Sequence, residues 1–192
     1  MLSTMRIGGR MNGVESKRIK KLREEIIKGT PKFPNNKATK QLLEFKHLTD
    51  LLIIYLSWRA RLITPRPRKV TIEQDVLNDI RWDSISNNFE MLKKKIEEGE
   101  DICPYLSLKA HEKGYTPAAS GNTTDTDKWE DKDFILNVMG FYHLHTGELE
   151  EGKKISGRTD EVIFARIDKS TFNVIGIFNM MFLRKSIRYQ KK

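Results

Sequence analysis

The sequence predicts an α+β protein: an N-terminal helical region followed by a small antiparallel β-sheet. Three observations carry that reading. Apolar residues recur at three- and four-residue intervals from residue 15 to about residue 110. From residue 141 the period changes to two. Two β-rich runs, Glu161–Ile167 and Thr171–Phe178, are then separated only by Asp168-Lys169-Ser170, the spacing of a short hairpin.

Residues 1–14, MLSTMRIGGRMNGV, hold three glycines and no apolar period, and read as a flexible tail. Residues 15–118 form a basic helical region. Glu15–Lys28 is its first helix, with Ile19, Leu22, Ile26 and Ile27 on one face and Gly29, Pro31 and Pro34 as stop signals. Residues 37–63 predict one long helix. Its apolar positions, from Leu42 to Leu62, widen until they cover much of its circumference, so its Leu48–Leu52–Tyr55–Leu56 surface is expected to be covered. His47 lies beside that stripe with no second ligand one turn on, and reads as a core or flanking residue.

Pro65 and Pro67 end this helix. Thr71-Ile72-Glu73-Gln74 fits a capping box that opens a short helix to about Asp79. Ser84 or Ser86 opens the next, with Phe89, Leu92 and Ile96 inward and Gly99 at its end. One helical turn is expected around Leu106–Ala110. Residues 119–128, ASGNTTDTDK, read as a linker or exposed loop. Residues 129–192 then form a small α+β region: a helix over Trp129–Val138, a strand over Phe141–Thr146, a loop over 147–157, the hairpin, and a last strand over Phe182–Tyr189.

Charge narrows the partners. Residues 1–72 hold 17 Lys/Arg against 5 Asp/Glu, whereas residues 73–192 hold 18 against 21. The chain's net +9 is therefore a strongly basic first part joined to a slightly acidic second one. Such a surface favours an anionic partner, with RNA the favoured nucleic acid, although it would also serve solubility alone. Arg59, Arg61, Arg66, Arg68 and Lys69 cluster where the long helix ends. Five cations exceed what a helix dipole calls for, so they are the candidate phosphate contacts. The single cysteine, Cys103, excludes an internal disulfide and a cysteine-based zinc site. The longest apolar run, Leu51–Leu56, falls far short of the ~20 residues that span a bilayer. No membrane association and no cofactor or metal are expected. The first residues lack an apolar signal core, so a cytoplasmic location is expected.

The candidate chemistry sits after residue 140. His143 and His145 alternate with Tyr142 and Leu144, so both imidazoles project from one strand face about 7 Å apart along the chain. That spacing suits a general acid–base pair, two metal ligands or two ordinary strand residues. The nearby Asp131, Asp133, Glu148 and Asp160 form no recognised metal pattern. Arg158 and Thr159 favour the acid–base option. Cleavage of RNA by its own 2′-hydroxyl needs a base, an acid and a cation for the charged phosphorane. Histidine supplies the first two near neutral pH, arginine the third, and the threonine hydroxyl a further hydrogen bond.

The segment RTDEVIFARIDKSTFNVIGIF, behind a basic helical region, resembles the RelE-type, barnase-like superfamily of small toxin ribonucleases. The resemblance covers about residues 134–178. It implies a metal-independent endoribonuclease of toxin or phage-defence type, with His143, His145, Arg158 and Thr159 as catalytic residues. It also implies further basic or aromatic site residues near the chain end, where Arg184, Arg188 and Tyr189 stand. An antitoxin or other protein would dock on the 42–63 helix. The reading from another class is a non-catalytic nucleic-acid-binding protein that uses the basic N-terminal half, and a third is a protein–protein interaction module.

Overall fold

The structure, a computed structural model, describes residues 15–117, 136 and 139–179. The expectations for 1–14, for 119–128, for the strand over Phe182–Tyr189, and for Arg184, Arg188 and Tyr189 lie outside these residues. So does the helix over Trp129–Val138, apart from Leu136, whose carbonyl accepts the Gly140 N–H at 3.0 Å.

The architecture is α+β, as the sequence predicts. The hairpin falls where expected. Strand β3 is Glu161–Ile167 and strand β4 is Thr171–Asn179. The Asp168 carboxylate closes their turn, accepting the N–H of Ser170 at 2.7 Å, the N–H of Thr171 at 2.8 Å and the Thr171 hydroxyl at 2.6 Å. A short acceptor at that position folds back onto the backbone ahead of it, which is why Asp suits the site. Strand β2, Tyr142–His145, pairs antiparallel with β3.

The fourth strand was not foreseen. Residues Lys69–Ile72 form strand β1, which lies parallel to β4 with Lys69 opposite Thr171. The sheet is therefore mixed, in the order β1-β4-β3-β2. Thr71 is a strand residue and not a helix cap; its hydroxyl donates to Asn173 Oδ1 at 2.9 Å. Val70, Thr71 and Ile72 are β-branched, and pairing with β4 satisfies their backbone better than a helix start would.

The 37–63 segment also differs from expectation. It forms two helices, α2 (Lys37–Glu44) and α3 (Leu48–Arg59), broken at 45–47. Helix α1, Lys17–Gly29, supplies the reason. The Arg23 guanidinium donates to the carbonyls of Glu44 at 3.0 Å and Lys46 at 2.8 Å, taking up acceptors that the end of α2 leaves open. His47 is then extended and precedes α3. Of the surface expected to be covered, Leu48, Leu52 and Tyr55 pack in part, whereas Leu56 is 59% exposed.

After β1 comes the single turn α4, Gln74–Leu77, and then α5, Trp82–Glu98, which starts earlier than Ser84. Arg81 hydrogen-bonds the Asp79 carboxylate at this corner and holds its pKa down at about 2. A 3-10 turn at Cys103–Tyr105 and helix α6, Leu108–Glu112, follow. No described helix is long and apolar enough to cross a membrane.

Two apolar clusters hold these elements. In the larger, Phe89, Leu92 and Ile96 of α5 pack on Leu144, Ile163, Phe172 and Val174 of the sheet. Phe89 and Phe172 are fully buried, each worth about 1.5–3 kcal/mol over an exposed ring. The core thus draws on chain from both sides of residues 119–128. The smaller cluster joins Ile26 and Ile27 of α1 to Leu43 of α2 and Leu51 of α3. Trp58 Nε1 donates to the Ala110 carbonyl at 2.9 Å, tying α3 to α6.

Candidate nucleic-acid interface

The strand alternation places His143 and His145 on the sheet face away from the main core, while Leu144 between them is fully buried in it. The imidazole centroids are 6.5 Å apart and nearly edge-to-face, and His143 lies 6.1 Å from the Phe164 ring. His145 is only 7% exposed. Its Nδ1 sits 3.2 Å from both the amide nitrogen and the carbonyl oxygen of Thr159. When the Thr159 N–H donates to Nδ1, the ring proton resides on Nε2.

Thr159 reaches His145 through its backbone, not its hydroxyl. That hydroxyl donates to the Glu161 carbonyl at 2.5 Å and accepts the Thr146 N–H at 3.4 Å. Arg158, the preceding residue, turns elsewhere. Its Nη1 donates to the Leu106 carbonyl at 2.8 Å, and burial lowers its pKa against the pull of Glu112. Leu106 bridges to Leu144 at the outer edge of β2, so Arg158 fastens that edge. The structure therefore brings His143, His145 and the Thr159 backbone together, and it directs the Arg158 guanidinium and the Thr159 hydroxyl to structural acceptors. Among the described residues no group of three or more His, Cys, Asp or Glu is placed to hold a metal ion. Cys103 donates to the Ile63 carbonyl at 3.2 Å, and burial pushes its thiol up to about 12, far from a reactive thiolate.

The arginine cluster resolves into separate roles. Arg59 and Arg66 are exposed and line a groove of about 390 Å³ beside the β3–β4 turn. Arg68 lines it too, but it is 7% exposed and spends its guanidinium on the carbonyls of Asp168, Arg66 and Thr64. Arg61 donates to the Lys113 carbonyl at 2.5 Å, outside the groove. Lys69 is exposed on β1 and also lies outside its lining.

Two groove residues escaped the sequence reading. Lys169, at the hairpin tip, joins the cations, and Tyr142 joins Leu62, Ile63 and Ile167 as the apolar part of the lining. Both are distant in sequence from the arginines. The parallel register of β1 on β4, with the Lys69 N–H donating to the Ser170 carbonyl at 2.8 Å, carries the turn to them. The opposite wall is held by α5. Gly99 has φ +78°, and a Cβ there would meet Pro67 at 2.6 Å, so only glycine lets the 64–68 loop lie this close.

Among the described residues four cations and one carboxylate line the groove, and that carboxylate, Asp168, is engaged by its own turn. The turn's hydrogen bonds hold its pKa well below the usual carboxylate range. A second depression, of about 740 Å³ between α1 and α2, is electrostatically different. Its five cations face Glu15, Glu24 and Glu44. Arg23 lies 3.7 Å from Glu15, Lys40 lies 3.7 Å from Glu44, and Lys32 donates to the carbonyls of Ile27 and Thr30. Its carboxylates offset part of that charge, which leaves the hairpin groove, with four cations to one engaged carboxylate among the described residues, as the better anion site. No family of known proteins, curated protein or solved structure matches this chain.

Proposed function

We propose that this protein binds nucleic acid by its phosphates in the groove between the 59–68 segment and the β3–β4 turn. The observation that carries the reading is the convergence of Arg59, Arg66 and Lys169 on a groove where Asp168, the one carboxylate among its described lining residues, is already engaged. Arg68 holds the walls in place and adds its charge from behind.

Binding supports the geometry better than hydrolysis does. A ribonuclease acting through His145 would have to move a proton on a ring that is 7% exposed and in contact with Thr159. Its phosphorane would also need Arg158, whose Nη1 is directed to Leu106.

The test is a salt series with a labelled RNA. Three presented cations should give a slope of about −2 in log affinity against log salt, at roughly 0.7 per phosphate on a single strand. Arg66→Ala should weaken binding and make that slope shallower by about 0.7. A salt-independent affinity, or a slope that Arg59→Ala, Arg66→Ala and Lys169→Ala leave unchanged, would contradict the reading.

A further inference from the structure

Among the described residues strand β1 has a neighbour on one side only, because the sheet runs β1-β4-β3-β2. In a parallel pair, alternate residues turn both backbone groups to the same neighbour. The Lys69 N–H donates to the Ser170 carbonyl at 2.8 Å and the Glu73 N–H to the Val174 carbonyl at 3.0 Å. Lys69, Thr71 and Glu73 therefore turn their backbone to β4, and Val70 and Ile72 turn theirs to the outer edge. Among the described residues nothing bonds those two N–H and two C=O groups. An edge left open in this way is a template for another strand.

The side chains select what pairs there. Lys69, Thr71 and Glu73 are exposed on one face of the strand, while Val70 and Ile72 lie half-buried against the main core on the other. Two copies of β1 that meet edge to edge about a two-fold axis normal to the sheet run antiparallel. With the axis at Thr71, Val70 lies opposite the partner's Ile72 and Ile72 opposite the partner's Val70. All the outward backbone groups of both copies are then paired. The same register sets Lys69 opposite the partner's Glu73 at both ends of the joint. Glu73 has extended backbone, so it continues the strand, and its Oε1 accepts from Asn173 at 2.7 Å, which leaves Oε2 for the lysine. A shift by two residues fails either way. It sets Ile72 against Arg68, whose N–H already donates to the Ile96 carbonyl at 3.2 Å, or Val70 against Gln74, the first residue of α4.

We infer that β1 is the docking edge for a second copy of this chain, joined through Val70 and Ile72 and closed by two Lys69–Glu73 pairs. Lys69 is the cation of the 59–69 cluster that is exposed yet outside the groove, and this pairing gives it a role. The shortness of β1, with Pro67 just ahead of it, confines pairing to this stretch and yields a closed dimer rather than a fibre.

Sedimentation equilibrium of the intact protein without nucleic acid, over a concentration series, measures the association. The unaltered protein should pass from monomer to dimer, and the Val70 and Ile72 amides should exchange hydrogen more slowly in step with it. Lys69→Glu should weaken the dimer roughly tenfold or more, since two cross-strand attractions become repulsions. Glu73→Lys should do the same. Mixing the two variants should restore association, because a chain acidic at both positions then meets one basic at both, and a misfolded variant would give no such rescue. A monomer at every concentration, or a dimer that both charge reversals leave unchanged, overturns the inference. Protection of Val70 and Ile72 that appears only when an extended peptide of another protein is added would also overturn it, by giving the edge to a different partner.

Discussion

Arg68 shows how little a charge count says about a charge. In the sequence it is one of five cations in a row of candidate phosphate contacts. In the fold its Nε reaches the Asp168 carbonyl at 2.8 Å and its Nη2 the Thr64 carbonyl at 3.0 Å. It therefore clamps the loop after α3 to the β3–β4 turn. Burial lowers its pKa and Arg66 pushes the same way, while Tyr142 and Asp168 oppose them. Removing it would leave several partly buried carbonyls without a donor. Arg68→Ala should cost roughly 2–4 kcal/mol of unfolding free energy, as loss of charged hydrogen bonds to otherwise unpaired acceptors does. Arg68→Lys should recover only part, because an ammonium cannot span the planar fork of acceptors. Urea unfolding measures both; an alanine variant within about 0.5 kcal/mol of the parent would show that the clamp is idle.

At the scale of elements, helix α3 is apolar around much of its circumference, yet only Leu51 is fully buried. The helix is anchored most deeply at Leu51, with Leu48, Leu52, Ile54 and Tyr55 packed in part beside it. Leu51→Ala should lose about 2–5 kcal/mol, the range for a buried leucine whose cavity is only partly filled by collapse. Leu56→Ala, at a position 59% exposed, should stay within about 0.5 kcal/mol of the parent. Equal effects in thermal or chemical unfolding would place the anchor wrongly.

The elements differ in how much of them local sequence specified. The β3–β4 hairpin was legible to within one residue, at the end of β4, because alternation and the Asp168 turn are local signals. So was the inward face of α5 and its glycine stop. Strand β1 was hidden because its partner, β4, lies about a hundred residues downstream, and KVTI followed by Glu-Gln reads locally as a helix start. The break at 45–47 was hidden for a related reason, since the donor that takes up the open carbonyls is Arg23 of another helix. For the candidate site, the pairing of His143 with His145 was legible from period two. The commitments of Arg158 and Thr159 were not, because they depend on Leu106 and on the loop that precedes β3.

For the whole molecule, the binding surface is made by tertiary structure. One wall comes from residues 59–68 and the other from the hairpin tip at 168–169, and Tyr142 of β2 lines it as well. The N-terminal surplus of positive charge supplies the first wall but does not by itself choose it over α1 and α2, which carry many of the lysines. The choice is made by the carboxylates: among the described residues three face the five cations around α1 and α2, whereas at the hairpin one, held by its own turn, faces four.

That choice is the central claim, and photo-cross-linking of a thiouridine-substituted single-stranded RNA tests it most directly. Adducts mapped by mass spectrometry should fall on the peptides that hold Arg59 to Arg66, Tyr142 and Lys169. Adducts confined to Lys20, Lys28 and Lys40 of α1 and α2, or to the strand face of His143 and His145, would contradict it.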